Sequence, residues 1–99
     1  MEGTARISAD VLASYAADAA LEVEGVHGLS AERLPPRPAV RVTTEDEAVS
    51  VELHLEVDWG ASIPAVGRAV QQRVAEYLGR MADVRPTAVD VVVDGIGPE

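Results

Sequence analysis

The chain has 99 residues, 47% of them hydrophobic, and a net charge of −9, which predicts one small domain with enough apolar surface for a core. The absence of cysteine excludes disulfides, thiol nucleophiles and thiolate metal sites, and the acidic balance disfavours nucleic acids and anionic lipids as partners. No apolar run exceeds three residues, and the N-terminus lacks a signal-peptide pattern, so we expect a soluble cytoplasmic protein without direct membrane insertion.

The first part of the chain predicts a helix between two short strands. The segment TARIS, residues 4–8, is typical of a strand. Ser8 offers a helix N-cap, and apolar residues then recur at helical spacing over about 9–23. Gly25 indicates the end of this helix, and residues 26–30 predict a second short strand.

The middle of the chain predicts a proline-rich loop followed by a hairpin. Three prolines within residues 31–38 exclude both a helix and a central strand. Residues 40–44 and 48–59 predict two antiparallel strands joined by the acidic turn 45–47. In the longer strand, apolar residues fall on odd positions and polar residues on even ones, so its two faces differ.

The last part of the chain predicts a second helix and a final strand. Ser62 is the expected N-cap, and Pro64 is tolerated because it lies in the first turn. An apolar stripe continues from Ile63 to Met81. Pro86 ends this region, and residues 88–94 predict a valine-rich strand.

These elements predict an α+β fold with two layers. Each helix has one apolar stripe and the long strand has one apolar face, so both helices must cover the same side of the sheet. We expect a single domain over residues 1–99, with a mixed sheet of four to five strands and two helices packed on one face. The predicted order is β-α-β-β-β-α-β.

The polar face of the long strand is the strongest candidate site. It carries Glu52, His54, Glu56 and Asp58, whose alternate positions lie roughly 7 Å apart along a strand. A histidine with carboxylates is a plausible metal-ligand set. An uncovered sheet face shows the same alternation without any ligand, and this second interpretation is favoured. We therefore expect a solvated face that contacts a partner, with no metal and no cofactor.

The sequence leaves the roles of Trp59 and His27 open. Trp59 is the last of the alternating apolar residues in the long strand. This position favours packing in the core over a role as an interface anchor. His27 lies between glycines in the segment GVHG, and a loop residue is favoured over a catalytic group because no nucleophile motif accompanies it. Phosphate-loop, zinc-protease and calcium-loop patterns are absent from the sequence.

Three stretches together resemble the alkaline shock protein family, the envelope stress response family of Gram-positive bacteria. They are ARISADVLASYAADAALEVEGVHGLS at 5–30, VSVELHLEVDWGASIPAVGRAVQQRV at 49–74 and VDVVVDGI at 89–96. The chain departs from the family at Ala82-Asp83-Val84, where a Thr-Gly-Leu turn is common, and in its proline-rich loop. The resemblance implies no established catalytic residues, a link to cell-envelope homeostasis, and in some members a small membrane-anchored partner.

The leading hypothesis is therefore a non-enzymatic protein-interaction module that acts in cell-envelope homeostasis. We expect binding through the polar face around Glu52, His54 and Glu56, with Asp58 and Trp59 at its end, or through a sheet edge. A homo-oligomer would also fit, because strand edges can pair. A membrane-anchored partner would place the protein at the inner face of the membrane. The alternative is a small-ligand or metal-binding regulatory domain.

Overall fold

The structure is a computed structural model that describes residues 6–99. The main elements follow one another as α1 (Ala9–Leu21), β1 (Val26–Leu29), β2 (Glu32–Arg33), β3 (Pro36–Arg37), β4 (Val40–Glu45), β5 (Ala48–Val57), α2 (Ile63–Ala82) and β6 (Ala88–Ile96). The predicted α+β fold with two helices and a four-stranded mixed sheet is confirmed.

Strand β5 is the centre of the sheet. On one side it pairs antiparallel with β4 along its first half, and with β1 near its end. On the other side it pairs in parallel with β6 over its whole length. The neighbours of β5 thus come from both halves of the chain, and this strand joins them into one sheet.

Both helices cover the odd-numbered face of β5. α1 packs against β4 and β1, α2 packs against β6, and the helices also contact each other. The buried core consists of the odd residues of β5 together with small and aliphatic residues of the helices, namely Leu12, Ala16, Ala19, Ala20, Val23, Val49, Val51, Leu53, Leu55, Val57, Val66, Val70, Val74 and Leu78. Because phenylalanine is absent from the sequence, this core depends on close packing of small side chains.

The helix ends follow the capping signals in the sequence. The Ser8 hydroxyl accepts a hydrogen bond from the Val11 amide, and the Ser62 hydroxyl accepts one from the Ala65 amide. Both predicted N-caps are confirmed. Gly25 follows α1 with a φ of 97°, and a Cβ placed there would lie 2.7 Å from Cγ2 of Val66. Glycine is therefore required at this position both by backbone conformation and by space.

Two local predictions need correction. Part of the predicted strand over 4–8 lies outside the described residues, and its described part, residues 6–8, is not a strand because Ser8 is used as the cap of α1. The proline-rich loop contains the small β2–β3 ladder, in which Glu32 pairs with Arg37. This ladder is separate from the main sheet, so the exclusion of a central strand there is confirmed.

A histidine cluster on the polar face of the sheet

The even-numbered face of β5 lies opposite the helices. Glu52, His54 and Glu56 are half-buried on this face, and the register with β6 places Asp90 beside Glu52 and Val92 beside His54. The register shifts between Leu55 and Glu56, because Asp94 is an additional residue in β6. This bulge brings the Asp94 carboxylate within reach of His54.

His54 lies between two carboxylates. Its Nε2 atom is 2.8 Å from Oε2 of Glu52, and its Nδ1 atom is 3.2 Å from Oδ2 of Asp94. Only 12% of the His54 side chain is exposed, which is low for a face without a helix layer. Both hydrogen bonds can be donated at once only by the imidazolium form, since a neutral ring has one N–H. The imidazole therefore links β5 to β6 through side chains.

Arg37 extends the cluster to the β2–β3 ladder. One of its guanidinium nitrogens is 3.0 Å from Oδ2 of Asp94, and the same nitrogen is 3.7 Å from Oε1 of Glu32. Asp94 thus accepts from both a histidine and an arginine. The ladder of β2 and β3 is tied to the main sheet by this contact, which lies beside the half-buried His54.

The cluster lowers the pKa of both carboxylates that contact His54. For Glu52, the hydrogen bond with His54 lowers the pKa from its ordinary 4.5, and this effect exceeds the opposing effect of burial. For Asp94, burial raises the pKa, but hydrogen bonds from His54 and Ser30 and the charges of His54 and Arg37 together bring it below 3.8. Both groups are therefore held in the charged form.

The remaining predicted site residues are not part of this cluster. Glu56 packs against Gly95, where a Cβ would lie 3.4 Å from its Oε2. Asp58 is exposed and pairs with His27, with 3.2 Å between Oδ1 and Nδ1. The predicted core packing of Trp59 is wrong, since this residue is 60% exposed. The physical reason is that β5 ends at Val57, so the alternation of the strand no longer directs the side chain of Trp59.

The geometry gives little support to a metal site. Within residues 6–99, no group of three histidine, aspartate or glutamate side chains is arranged to hold a metal ion. Both ring nitrogens of His54 are already occupied by carboxylates, so a metal would have to displace one of them.

A shallow groove lies away from the polar face, between the end of α1 and α2, where Arg73 donates to Glu22 at 3.0 Å.

Sequence reasoning missed Arg37 and Asp94 as members of the cluster. Asp94 lies four residues after Asp90 in a strand otherwise rich in valine, so both acids fall on even positions, and this spacing could have indicated acids beside the polar face of β5. Arg37 lies in the proline-rich loop, and no local signal shows where this loop returns to the sheet. The cluster therefore depends on contacts between residues far apart in the chain.

The fold and the cluster define a small two-layer α+β protein with an acidic sheet face. In the described residues, neither helix is long and apolar enough to cross a membrane. A sequence model of the alkaline shock protein 23 family, described as having a cell envelope-related function, matches residues 1–98. The chain belongs to this family, as the resemblance predicted.

Two individual proteins are similar to the chain. An uncharacterized protein of Streptococcus pyogenes serotype M6, Spy1535, is 29% identical over 101 residues, which cover 94% of this chain and 78% of that protein. A histidine-to-alanine variant of MamM-CTD has a similar fold, with a TM-score of 0.58, 14% identity and coverage of 87% of this chain and 95% of that structure. The second likeness shows the fold alone.

Proposed function

We propose that the protein is a non-enzymatic interaction module that acts in cell-envelope homeostasis by binding a protein partner on its polar sheet face. The envelope connection follows from the family. We choose this surface because residues at its centre hold one another in place while other acids on it make no ion pair among the described residues. His54, Glu52 and Asp94 fix one another, whereas Glu56 and Asp90 make no ion pair within residues 6–99.

A fixed ion-pair cluster suits recognition better than catalysis. A general base needs a free nitrogen or oxygen within reach of a substrate proton, but both nitrogens of His54 are engaged by carboxylates. Glu52 and Asp94 remain charged because their pKa values are lowered, and together with Glu56 and Asp90, which make no ion pair among the described residues, they make the face negative. Such a surface accelerates the encounter with a basic partner and disfavours acidic ones.

We further propose that the partner is a small membrane-anchored protein that holds this chain at the inner face of the membrane. The resemblance to envelope stress response proteins motivates this partner. The exposed Trp59, two residues beyond the end of β5, is suited to serve as an anchor for the complex, because tryptophan is enriched among the residues that dominate binding energy.

A pull-down from native cells tests the proposal, with tagged protein run separately on membrane and soluble fractions and the retained proteins identified by mass spectrometry. We expect a small integral membrane protein to be retained from the membrane fraction. The variants Glu56→Lys and Asp90→Lys should reduce its retention with little change in thermal stability, because neither residue contributes to the core or to an ion pair among the described residues.

The matched control is Glu76→Lys, which makes the same charge change on the exposed surface of α2, on the opposite side of the molecule. Retention should be unchanged in this variant. Equal loss in all three variants would show an effect of net charge rather than of this face. Recovery of no membrane protein would contradict the anchored-partner proposal.

A further inference from the structure

Strand β6 has one open edge. Within residues 6–99 it pairs only with β5, and its other side has no strand neighbour. The strand is nine residues long, and Gln71 of α2 donates to the carbonyl of Val89 at 3.0 Å. The edge is thus held in an extended conformation by β5 on one side and by α2 at its start.

The hydrogen-bond pattern shows which backbone groups this edge presents. The backbone groups of His54 bond to Ser30 and Ala39 on the other side of β5, so the odd residues of β5 turn theirs toward β6, as the Gly97 amide donating to the Val57 carbonyl shows. In a parallel ladder each such residue bonds to the two neighbours of its register partner, so Val51 and Leu53 bond to Ala88, Asp90 and Val92. The backbone groups of Val89 and Val91 therefore face outward, and the Val89 carbonyl is the one that accepts from Gln71. Outward groups of this kind are a template for a further strand.

Most of β6 lacks the features that usually prevent another strand from pairing with an exposed edge. The strand contains neither proline nor lysine, and its bulge lies near its end, at Asp94. The opposite side of the sheet ends in shorter strands, since β4 has six residues and β1 has four. Short strands are one way in which proteins limit edge pairing, so β6 is the more accessible edge.

The side chains along the open edge define the chemistry of a partner. Asp90 lies beside Glu52 in the register, which places two acids on neighbouring strands. Glu52 contacts His54, but Asp90 makes no ion pair among the described residues. Val92 is 38% exposed on the same face. A pairing strand would therefore gain most from a basic residue opposite Asp90 and an aliphatic one opposite Val92.

We propose that the open edge of β6 binds an extended, basic segment of a partner protein, which adds a strand to the sheet next to Asp90 and Val92. This inference rests on the proposed interaction function and specifies the surface and the partner's chemistry. The backbone hydrogen bonds supply affinity and the alternate side chains supply selectivity. The resulting contact would continue directly into the acidic face that contains Glu52 and His54.

A second copy of the chain fits this edge poorly. A two-fold dimer would pair two β6 strands antiparallel. A register centred on Val92 places Asp90 of each chain opposite Asp94 of the other, and a register centred on Asp90 places the two Asp90 side chains opposite each other. A register centred on Val91 avoids these pairs, but β6 has no lysine or arginine to lie opposite Asp90 in any register. Like charges directly opposite are destabilising, and each chain carries a net charge of −9. A basic segment avoids this repulsion and supplies the cation that a second copy lacks.

A short blocked peptide provides a direct probe. Its alternate residues are arginine, valine and arginine, with threonine between them, so the pattern is the same in either strand direction. We expect titration into the 15N-labelled full chain to shift amide resonances along residues 88–94. A peptide with glutamate in place of arginine, and one with N-methylated alternate amides, should bind at least several-fold more weakly.

Two variants of the protein separate charge from backbone pairing. Asp90→Lys should weaken arginine-peptide binding several-fold, and Val91→Pro should abolish it by removing an outward N–H. Proline is tolerated on an edge strand where the N–H faces solvent, so Val91→Pro should remain folded, and thermal unfolding checks this. Val91→Thr keeps the N–H and should still bind, and Glu76→Lys is the control for net charge.

Resonance shifts confined to residues outside β6, equal binding of the glutamate peptide, or unchanged binding by folded Val91→Pro would each overturn the proposal. A dimer seen by sedimentation and lost in Val91→Pro would overturn it in favour of a second copy. The peptide titration depends only on the edge, whereas the membrane-fraction pull-down depends on the cellular partner. Failure of one experiment is therefore distinguishable from failure of the other.

Discussion

The two faces of β5 are held in place by different forces, although they alternate along the same ten residues. On the odd face, Val51, Leu53, Leu55 and Val57 are at most 1% exposed beneath the two helices. On the even face, His54 is fixed by hydrogen bonds to Glu52 and Asp94. The hydrophobic effect that stabilises the first face has no preferred direction and a large total energy. The hydrogen bonds on the second face are directional and few.

This difference indicates how the protein can vary its recognition surface without losing its fold. Most of the stability comes from the apolar face, where every side chain contributes to one close-packed core. Exposed ion pairs contribute little net stability, so the polar face is free to be selected for binding.

Shortening a residue on the apolar face should have the largest effect. Leu53 is completely buried at the centre of β5, so Leu53→Ala should lower the free energy of unfolding by about 2–5 kcal/mol. Urea denaturation measures this loss. The control on the polar face, Glu56→Ala, should change stability by less than about 0.5 kcal/mol. Comparable losses in the two variants would contradict the division between the faces.

The two histidines provide a second comparison within the polar contacts. His54 is 12% exposed and contacts two carboxylates, whereas His27 is 44% exposed and, among the described residues, pairs with one carboxylate, that of Asp58. His54→Ala should therefore destabilise the protein more than His27→Ala and less than Leu53→Ala, because it leaves Glu52 and Asp94 without their shared donor. Thermal unfolding of the three variants at neutral pH gives the order, and a larger loss for His27→Ala would refute it.

Acid should remove the contribution of the cluster. Glu52 and Asp94 have pKa values below their ordinary 4.5 and 3.8, so their stabilising effect is fully present above those values. It is lost as the pH falls through the lower pKa values of the folded state, where the carboxylates become protonated. Urea denaturation from about pH 2 to pH 7 should show His54→Ala and the wild type converging in stability at the acid end. A constant difference across this range would indicate that His54 acts through packing alone.

The apolar face was predictable from the sequence because its determinants are local. Alternation along β5 identified both faces, and Ser8 and Ser62 identified the two helix starts. Each of these signals acts over a few residues, through strand geometry or a capping hydrogen bond.

The polar cluster was only partly predictable because it joins residues that are distant in the chain. His54 could be recognised as a candidate, but Arg37 reaches it from the proline-rich loop and Asp94 through a bulge in β6. Trp59 shows the limit of a periodic pattern, which stops directing side chains once the strand has ended at Val57.

The turn between β4 and β5 determines which residues reach each face, and it should give the smallest effect. A slip of one residue in this hairpin would move every side chain of β5 to the opposite face. The register is set by Asp46 and Glu47, which both adopt positive φ angles, 49° and 67°. A two-residue turn with this conformation favours glycine at its second position, where Glu47 has a backbone cost.

Glu47→Gly should therefore raise the free energy of unfolding by up to about 1 kcal/mol, since relief of the left-handed conformation exceeds the added flexibility of the unfolded chain. Glu47→Ala is the matched control, because it removes the same charge and keeps the Cβ, and it should give no comparable gain. Denaturation in urea compares the two. An equal gain in both variants would assign the effect to reduced acidic repulsion around residues 45–47 instead of the backbone conformation of Glu47.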